Sequence, residues 1–488
     1  MLVQKQVQGG VDRVRSSAPL IFHLIKEKLE MKYNKLAISD KDDLIFGHAP
    51  FPVTTRRGLV IGGGKVYPEL NFTLPPMHIN SDTIGSIIQQ YRDIARGALN
   101  RGVELYSNGI ILEFETLPEM TKNPDYGVEI IKAMNEVCEE FFQKHGIPSE
   151  IRLTPNDLRE FERPPRQRTS HLLNPMLELF ERGSIAGGDI LSIESTGGKE
   201  IFDDALMNCN IREIVFSLCV LGVRDMKMLW AKIVEIAGKH GKIAGGDTAC
   251  GFGNTAMVLA EKKYIPRLFA AIVRIMSVVR TIVAVEEGAS GPDKDCGYEG
   301  IYLKAITGIP VSMEGKTSAC AHLSPLGNIA GAGADLWSNE SVQNIKLLAD
   351  MAPTVYLEQL EYDTRLFNQA IKSGKSDMLA LQRHMVESDM YFDPQAFILA
   401  PSNVIEIAGE MVKGKSYVES AVLGALKGLD LIEEAVLSGQ LKSSEMENVW
   451  FDLIREELKT IPPDEDLFIE EMLKVTDHSK YLKEEYGL

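Results

Sequence analysis

A grammar repeated six times constrains this chain most: a short run rich in Ile, Val and Leu, then a polar cluster, then a stretch of helical periodicity. "GIILEFET" ends at Glu115 and Thr116, "EIRLTPND" at Asn156 and Asp157, and "DILSIEST" at Glu194 to Thr196. "KIAGGDTAC" ends at Cys250, "GIPVSMEGKT" at Glu314 to Thr317, and "AFILAPSN" at Ser402 and Asn403. Runs apolar on both faces and alternating with helices are what a parallel sheet covered on both sides requires. Six such units predict an α/β fold, a (β/α)8 TIM barrel, in preference to an open sheet.

The chain carries more helix than a minimal barrel needs. Polar-apolar helical patterns run over 338–373 and 403–440, and the tail after Pro462-Pro463 is helical and charged. Residues 31–488 therefore read as one barrel domain with a helical annex over about 338–373 and 403–488. Residues 1–30 read as an N-terminal extension, with "VQGGVDRVRSSAP" preceding "LIFHLIKEKLE" and five Lys/Arg against three Asp/Glu. An upstream start codon, with the functional chain opening near Met31, explains this composition as well as a native arm does.

Composition excludes some functions. A formal charge of −17 leaves no general attraction for nucleic acid or an anionic membrane, because such binding rests on Lys and Arg neutralising phosphates. The most apolar stretch, "IPRLFAAIVRIMSVVRTIVAVEEG", is interrupted by Arg267, Arg274 and Arg280 and reads as a buried or partner-facing helix. Six cysteines in 488 residues make no disulfide scaffold, which points to a reducing cytoplasm and to exposed cysteines as metal or catalytic candidates.

In such a barrel the C-terminal ends of the strands converge on one mouth, where the active site lies. That places Glu115, Glu194, Asp247, Cys250 and Glu314 as neighbours, and "GPDKDCGYEG" adds Cys296 in a loop outside any apolar periodicity. Two loop cysteines and a strand-end carboxylate suit a tetrahedral Zn2+ with one position open, the pattern of a catalytic zinc site. The bland alternatives are a small residue filling a turn at Cys250 and a salt-bridged carboxylate at Glu194. Cys320 and His322 of "SACAH" form a reserve ligand pair, against a hydrogen-bonded histidine at the barrel rim.

Other signals carry less. "GFGNTA" matches G-x-G-x-x-A, but no acid follows Glu261 until Glu286, so the ribose partner of a dinucleotide site is missing. "GGGKVYPELNFTLPP" lacks the ending of a phosphate loop and reads as a hairpin or loop over the barrel. Cys138, Cys209 and Cys219 lie in helical patterns and read as core thiols. Asn254-Thr255 reads as a capping pair opening the next helix.

Taken together, "IFGHAPFPV", "GLVIGGGKVYPELNFTLPP", "LSIESTGGKEIFDDAL", "GGDTACGFGNTAM", "GPDKDCGYEG" and "GIPVSMEGKTSACAHLSPLGN" resemble the zinc-containing methanol:corrinoid methyltransferase family of methylotrophic methanogens and acetogens. The likeness runs from about Met31 to the C-terminus. It implies a (β/α)8 barrel whose zinc is held by Glu194, Cys250 and Cys296. It also implies a separate corrinoid (cobalamin) protein docking over the mouth, in a complex with two copies of each chain. The implied chemistry takes the methyl group of methanol to Co(I), giving methyl-Co(III) and water. The chain has no D-x-H-x-x-G sequence, the family-level mark of a corrinoid module, so the corrinoid comes on the partner. Asp247 and Glu314 are the candidate proton donors by strand-end placement. The alternatives are the same zinc chemistry on another methyl donor, such as a methoxylated aromatic, or a non-catalytic partner-binding barrel.

Overall fold

The computed structural model describes residues 29–74, 77–315, 325–333, 335–341 and 350–488. Most of the N-terminal extension, and the reserve pair Cys320 and His322, lie outside the described residues. Among the described residues, ten strands are formed in chain order: β1 (His48–Thr54), β2 (Val60–Gly63), β3 (Pro68–Thr73), β4 (Ile110–Glu115), β5 (Ser149–Thr154), β6 (Ile190–Ile193), β7 (Ile243–Asp247), β8 (Asp293–Asp295), β9 (Val311–Glu314) and β10 (Asp335–Ser341).

Strands β3 to β10 make one eight-stranded parallel sheet in which each strand neighbours the next in sequence, and β10 returns to pair with β3. This is the closure of a TIM barrel, with helices between strands forming the outer wall. One seam stays open. No ladder joins β7 to β8 among the described residues, although a backbone hydrogen bond from Ser290 N to Ala244 O (2.9 Å) ties their lower ends. Below the barrel, β1 and β2 form an antiparallel hairpin. From its turn and second strand, Leu59 and Ile61 pack against Ile111 and Ile190, closing the floor with apolar side chains.

Five of the six apolar runs become barrel strands. "AFILAPSN" does not: it bridges the helices Pro394–Phe397 and Pro401–Met411. Each helix opens on a proline at its first position, where the missing N–H costs nothing. The helical pattern expected from residue 338 also yields at its start, because the sheet needs an eighth strand there; β10 occupies it, and the helix begins at Ala352. "GGGKVYPELNFTLPP" supplies the last two residues of the hairpin strand β2 and the whole first barrel strand β3. The barrel strand escaped the apolar pattern because Glu69 and Asn71 interrupt it.

The helix Arg267–Glu286 is long and apolar enough to cross a bilayer, yet it is buried from Leu268 to its end. Annex helices cover it, with Gly424 and Gly428 of the helix Tyr417–Leu437 seated against Ile275. A Cβ at Gly428 would come within 2.3 Å of Ile275 Cδ1, so glycine sets the spacing of these two helices.

Candidate metal centre

The barrel interior is charged, in layers. Arg152 on β5 pairs with Glu69 on β3, donates to Ser192 Oγ on β6 (2.8 Å) and meets the Pro292 carbonyl (2.9 Å). Ser312 Oγ completes this lower layer by donating to Glu69 Oε2 (2.6 Å). Above it, Lys294 of β8 crosses the barrel to Glu113 Oε1 (2.7 Å) and Glu194 Oε1 (2.8 Å), with Glu115 Oε2 at 3.6 Å. Its ammonium also lies 5.0 Å from the centroid of the Trp337 ring. Burial works against the lysine's charge, but Glu113, Glu115 and Glu194 outweigh it and push its pKa well up, so the ammonium persists.

Glu194, Cys250 and Cys296 follow the consecutive strands β6, β7 and β8, and the fold brings their ligand atoms within 4.8 Å of one another. The two thiols therefore stand on either side of the open seam. Cys296 Sγ lies 3.4 Å from Glu194 Oε1. A thiolate and a carboxylate oxygen on one tetrahedral zinc would be about 3.5 Å apart. Burial and the charges of Cys250, Glu194 and Glu314 push the Cys296 thiol well up, while burial and Cys250 raise Glu194. Three anionic ligands repelling one another in a partly dehydrated mouth are what a divalent cation stabilises. The donor set and spacing thus fit zinc.

Neighbouring loops hold each ligand in place. Asn254 Nδ2 donates to Cys250 Sγ (3.3 Å) from the far end of a wide turn, Cys250–Asn254, and the helix Thr255–Glu261 continues from that turn. Asn254 therefore serves the sulfur and gives no side-chain cap to the helix expected to start there. Cys296 N donates to Thr248 Oγ1 (3.0 Å), and Ala249 N to Glu299 Oε1 (2.5 Å), locking the two cysteine loops together. Beyond Glu194, Thr196 donates through N (3.0 Å) and Oγ1 (3.1 Å) to Asp157 Oδ2. Arg159, fully buried, clamps Asp157 and Asp225 at 2.7 Å each. Tyr486, near the C-terminus, accepts Gly198 N (3.1 Å) and donates to Glu200 Oε1 (2.8 Å). The adjacent Glu485 carboxylate accepts from Arg168 N (2.6 Å) and Thr169 N (3.0 Å).

The other strand-end carboxylates are placed differently. Asp247 lies past an irregularity in which Leu191 pairs with Ala244 but Ser192 with Gly246, one extra residue on β7. Such a bulge reverses which side of the sheet the next side chain faces. Asp247 accordingly accepts Trp230 Nε1 (2.9 Å) from the helix wall and Ser195 N (3.2 Å), with Arg280 at 3.6 Å. Glu314 is buried, accepts Tyr298 OH (3.0 Å), and contributes to the field at Cys296. Glu115 accepts Asn71 Nδ2 (3.0 Å). Sequence reasoning missed Lys294 and Glu113; the clue was their interruption of strand-like runs with charge.

Fold and site define a class: a (β/α)8 barrel with a two-thiol, one-carboxylate trio at its C-terminal mouth. Within that class the chain belongs to the family of the methanol-cobalamin methyltransferase B subunit, which matches residues 30–487. It is 37% identical over 462 residues to the methanol-corrinoid protein co-methyltransferase of Methanosarcina barkeri, covering 93% of this chain and 99% of that one. The crystal structure of the methanol:cobalamin methyltransferase complex MtaBC from Methanosarcina barkeri contains a chain that superposes with a TM-score of 0.89 at 35% identity, covering 93% of this chain and 99% of that one.

Proposed function

We propose that this chain is a zinc-dependent methyltransferase that activates methanol and passes its methyl group to the Co(I) corrinoid of a partner protein. The observation that carries the reading is the convergence of Glu194, Cys250 and Cys296 at the mouth, in a chain of this family. These three residues would hold the zinc. Bound there, it would supply Lewis acidity to the methanol oxygen, which is otherwise a poor leaving group. The partner's corrinoid would supply the electron pair that takes the methyl group, and the oxygen, left with the C–O electron pair, would depart as water once this chain delivers a proton.

The residues around the trio divide the remaining work. Lys294 neutralises Glu113 and shares Glu194, which keeps the ligand carboxylate from being repelled out of the mouth. Glu314 is the favoured proton source of the two candidates, since it stands in the field of Cys296, whereas both oxygens of Asp247 are engaged by Ser195, Trp230 and Arg280. The corrinoid protein would dock over the mouth, in an assembly with two copies of each chain.

The test is to incubate the purified chain with cob(I)alamin and methanol and follow loss of the cob(I) spectrum. Loss with methanol that disappears in Cys250→Ser, together with its zinc, supports the reading. No loss with methanol but loss with a methoxylated aromatic would move the substrate to that donor. Zinc content unaffected by Cys250→Ser would refute the ligand set.

A further inference from the structure

The buried helix Arg267–Glu286 carries two arginines, Arg274 and Arg280, each with no solvent exposure. Burying a guanidinium carries a large desolvation cost, and an apolar side chain would pack the same helix more cheaply. Where these two guanidiniums point accounts for that cost. Arg280 Nη2 donates to Ser195 O (2.7 Å) and Ser195 Oγ (2.6 Å), on the residue that follows Glu194. Its Nη1 lies 3.6 Å from Asp247 Oδ1, and Asp247 Oδ1 in turn accepts Ser195 N. The same guanidinium stands 4.4 Å from the centroid of the Phe252 ring, two residues beyond Cys250. Six residues earlier on the helix, Arg274 donates from Nη1 to the carbonyl of Gly297, which follows Cys296. It also stands 5.2 Å from the Tyr298 ring centroid and donates from Nη2 to Gln395 Oε1 (3.0 Å).

We infer that Arg274 and Arg280 are positioning residues for the metal centre: one rigid helix reaches the segment just after all three ligands and sets their mutual geometry. Arg280 fixes the Glu194 loop and the Cys250 turn, and Arg274 fixes the Cys296 loop. A lysine keeps the charge but cannot donate in a fork, so it cannot hold Ser195 O, Ser195 Oγ and Asp247 at once. Both arginines bond to residues beside the ligands. Their effect passes through the backbone, as that of outer partners on metal ligands does. The inference rests on Glu194, Cys250 and Cys296 being the ligands.

The test loads the full chain and its Arg280→Met, Arg280→Lys, Arg274→Met and Arg274→Lys variants with Co2+ in place of zinc. It records the visible absorption bands, and it measures zinc affinity by chelator competition. The methionine variants are expected to weaken zinc binding by about ten- to a hundredfold and to shift the cobalt bands. The lysine variants should recover only part of the loss. In the Arg280→Met background, Glu194→Ala should cost less than it does in the wild-type chain, because Arg280 acts in part through that ligand. Folded Arg274→Met and Arg280→Met proteins with wild-type spectra and affinity would overturn the inference while leaving the metal centre standing. If a methionine variant does not fold, as circular dichroism would show, its lysine counterpart decides in the same way, and an unchanged spectrum refutes. Wild-type protein that binds neither ion, or binds both equally well as Cys250→Ser, would remove the metal-centre reading and this inference with it.

Discussion

Lys294 makes the sharpest energetic prediction. Its ammonium sits 2.7 Å from Glu113 and 2.8 Å from Glu194, on a side chain only 1% exposed. At an effective dielectric constant near 20, each contact is worth about 6 kcal/mol of Coulomb attraction, set against a desolvation penalty of several kcal/mol per ion. Lys294→Met removes the attraction and leaves Glu113 fully buried with Glu194 and Glu115 nearby, so the net loss should be about 3–5 kcal/mol, typical of a buried pair broken from one side. Equilibrium urea unfolding at neutral pH measures it. Adding Glu113→Gln to Lys294→Met should restore much of the loss, because the orphaned charge is then gone, and a double-mutant cycle gives the coupling. A loss below about 1 kcal/mol for Lys294→Met, or no recovery in the double variant, would show that the pairing does not organise the barrel interior.

Burial pushes the Glu200 carboxyl up from 4.5 to about 7, despite the hydrogen bond from Tyr486. The native state therefore binds more protons than the unfolded chain between those values, and stability should fall as pH rises through that window, by at most about 3 kcal/mol; Glu200→Gln should flatten the profile of unfolding midpoint against pH. Gly246→Ala should cost at least about 2 kcal/mol, since its φ is +149° and a Cβ would meet Asp293 Oδ1 at 1.9 Å. Gly241→Ala, also at positive φ but with open space around its Cβ, is the control and should cost less in the same thermal melt. Tyr486→Phe strands the Gly198 amide and should cost about 1–3 kcal/mol, with faster hydrogen exchange at 196–200. Unchanged exchange there would mean that the tyrosine does not hold the loop.

The sequence was readable where one physical signal dominated. Strands β4, β5, β6, β7 and β9 follow apolar runs that must be covered on both faces. Strands β3 and β8 hide because their inward residues, Glu69, Asn71 and Lys294, belong to the charged interior, and β8 is only three residues long. Cys250 and Cys296 stood out in glycine-flanked loops, but spacing could not choose Glu194 over the strand-end acids Glu115 and Glu314; only the family likeness did. The placement of Asp247 turned on a one-residue bulge at Gly245-Gly246, which no periodicity announces. Arg274 and Arg280 read as interruptions of an apolar helix, since direction along a buried helix becomes visible only when the loops it meets are in place.

The hold of Tyr486 on Gly198 and Glu200 has a consequence in time. The loop that presents Glu194 is translated almost three hundred residues before the tyrosine that secures it. A nascent chain therefore carries this loop unsecured until the segment around Tyr486 has been made, long after the last described strand. The same holds at the bench: a chain cut before Tyr486 keeps every described strand yet loses the hydroxyl that holds Gly198 and Glu200.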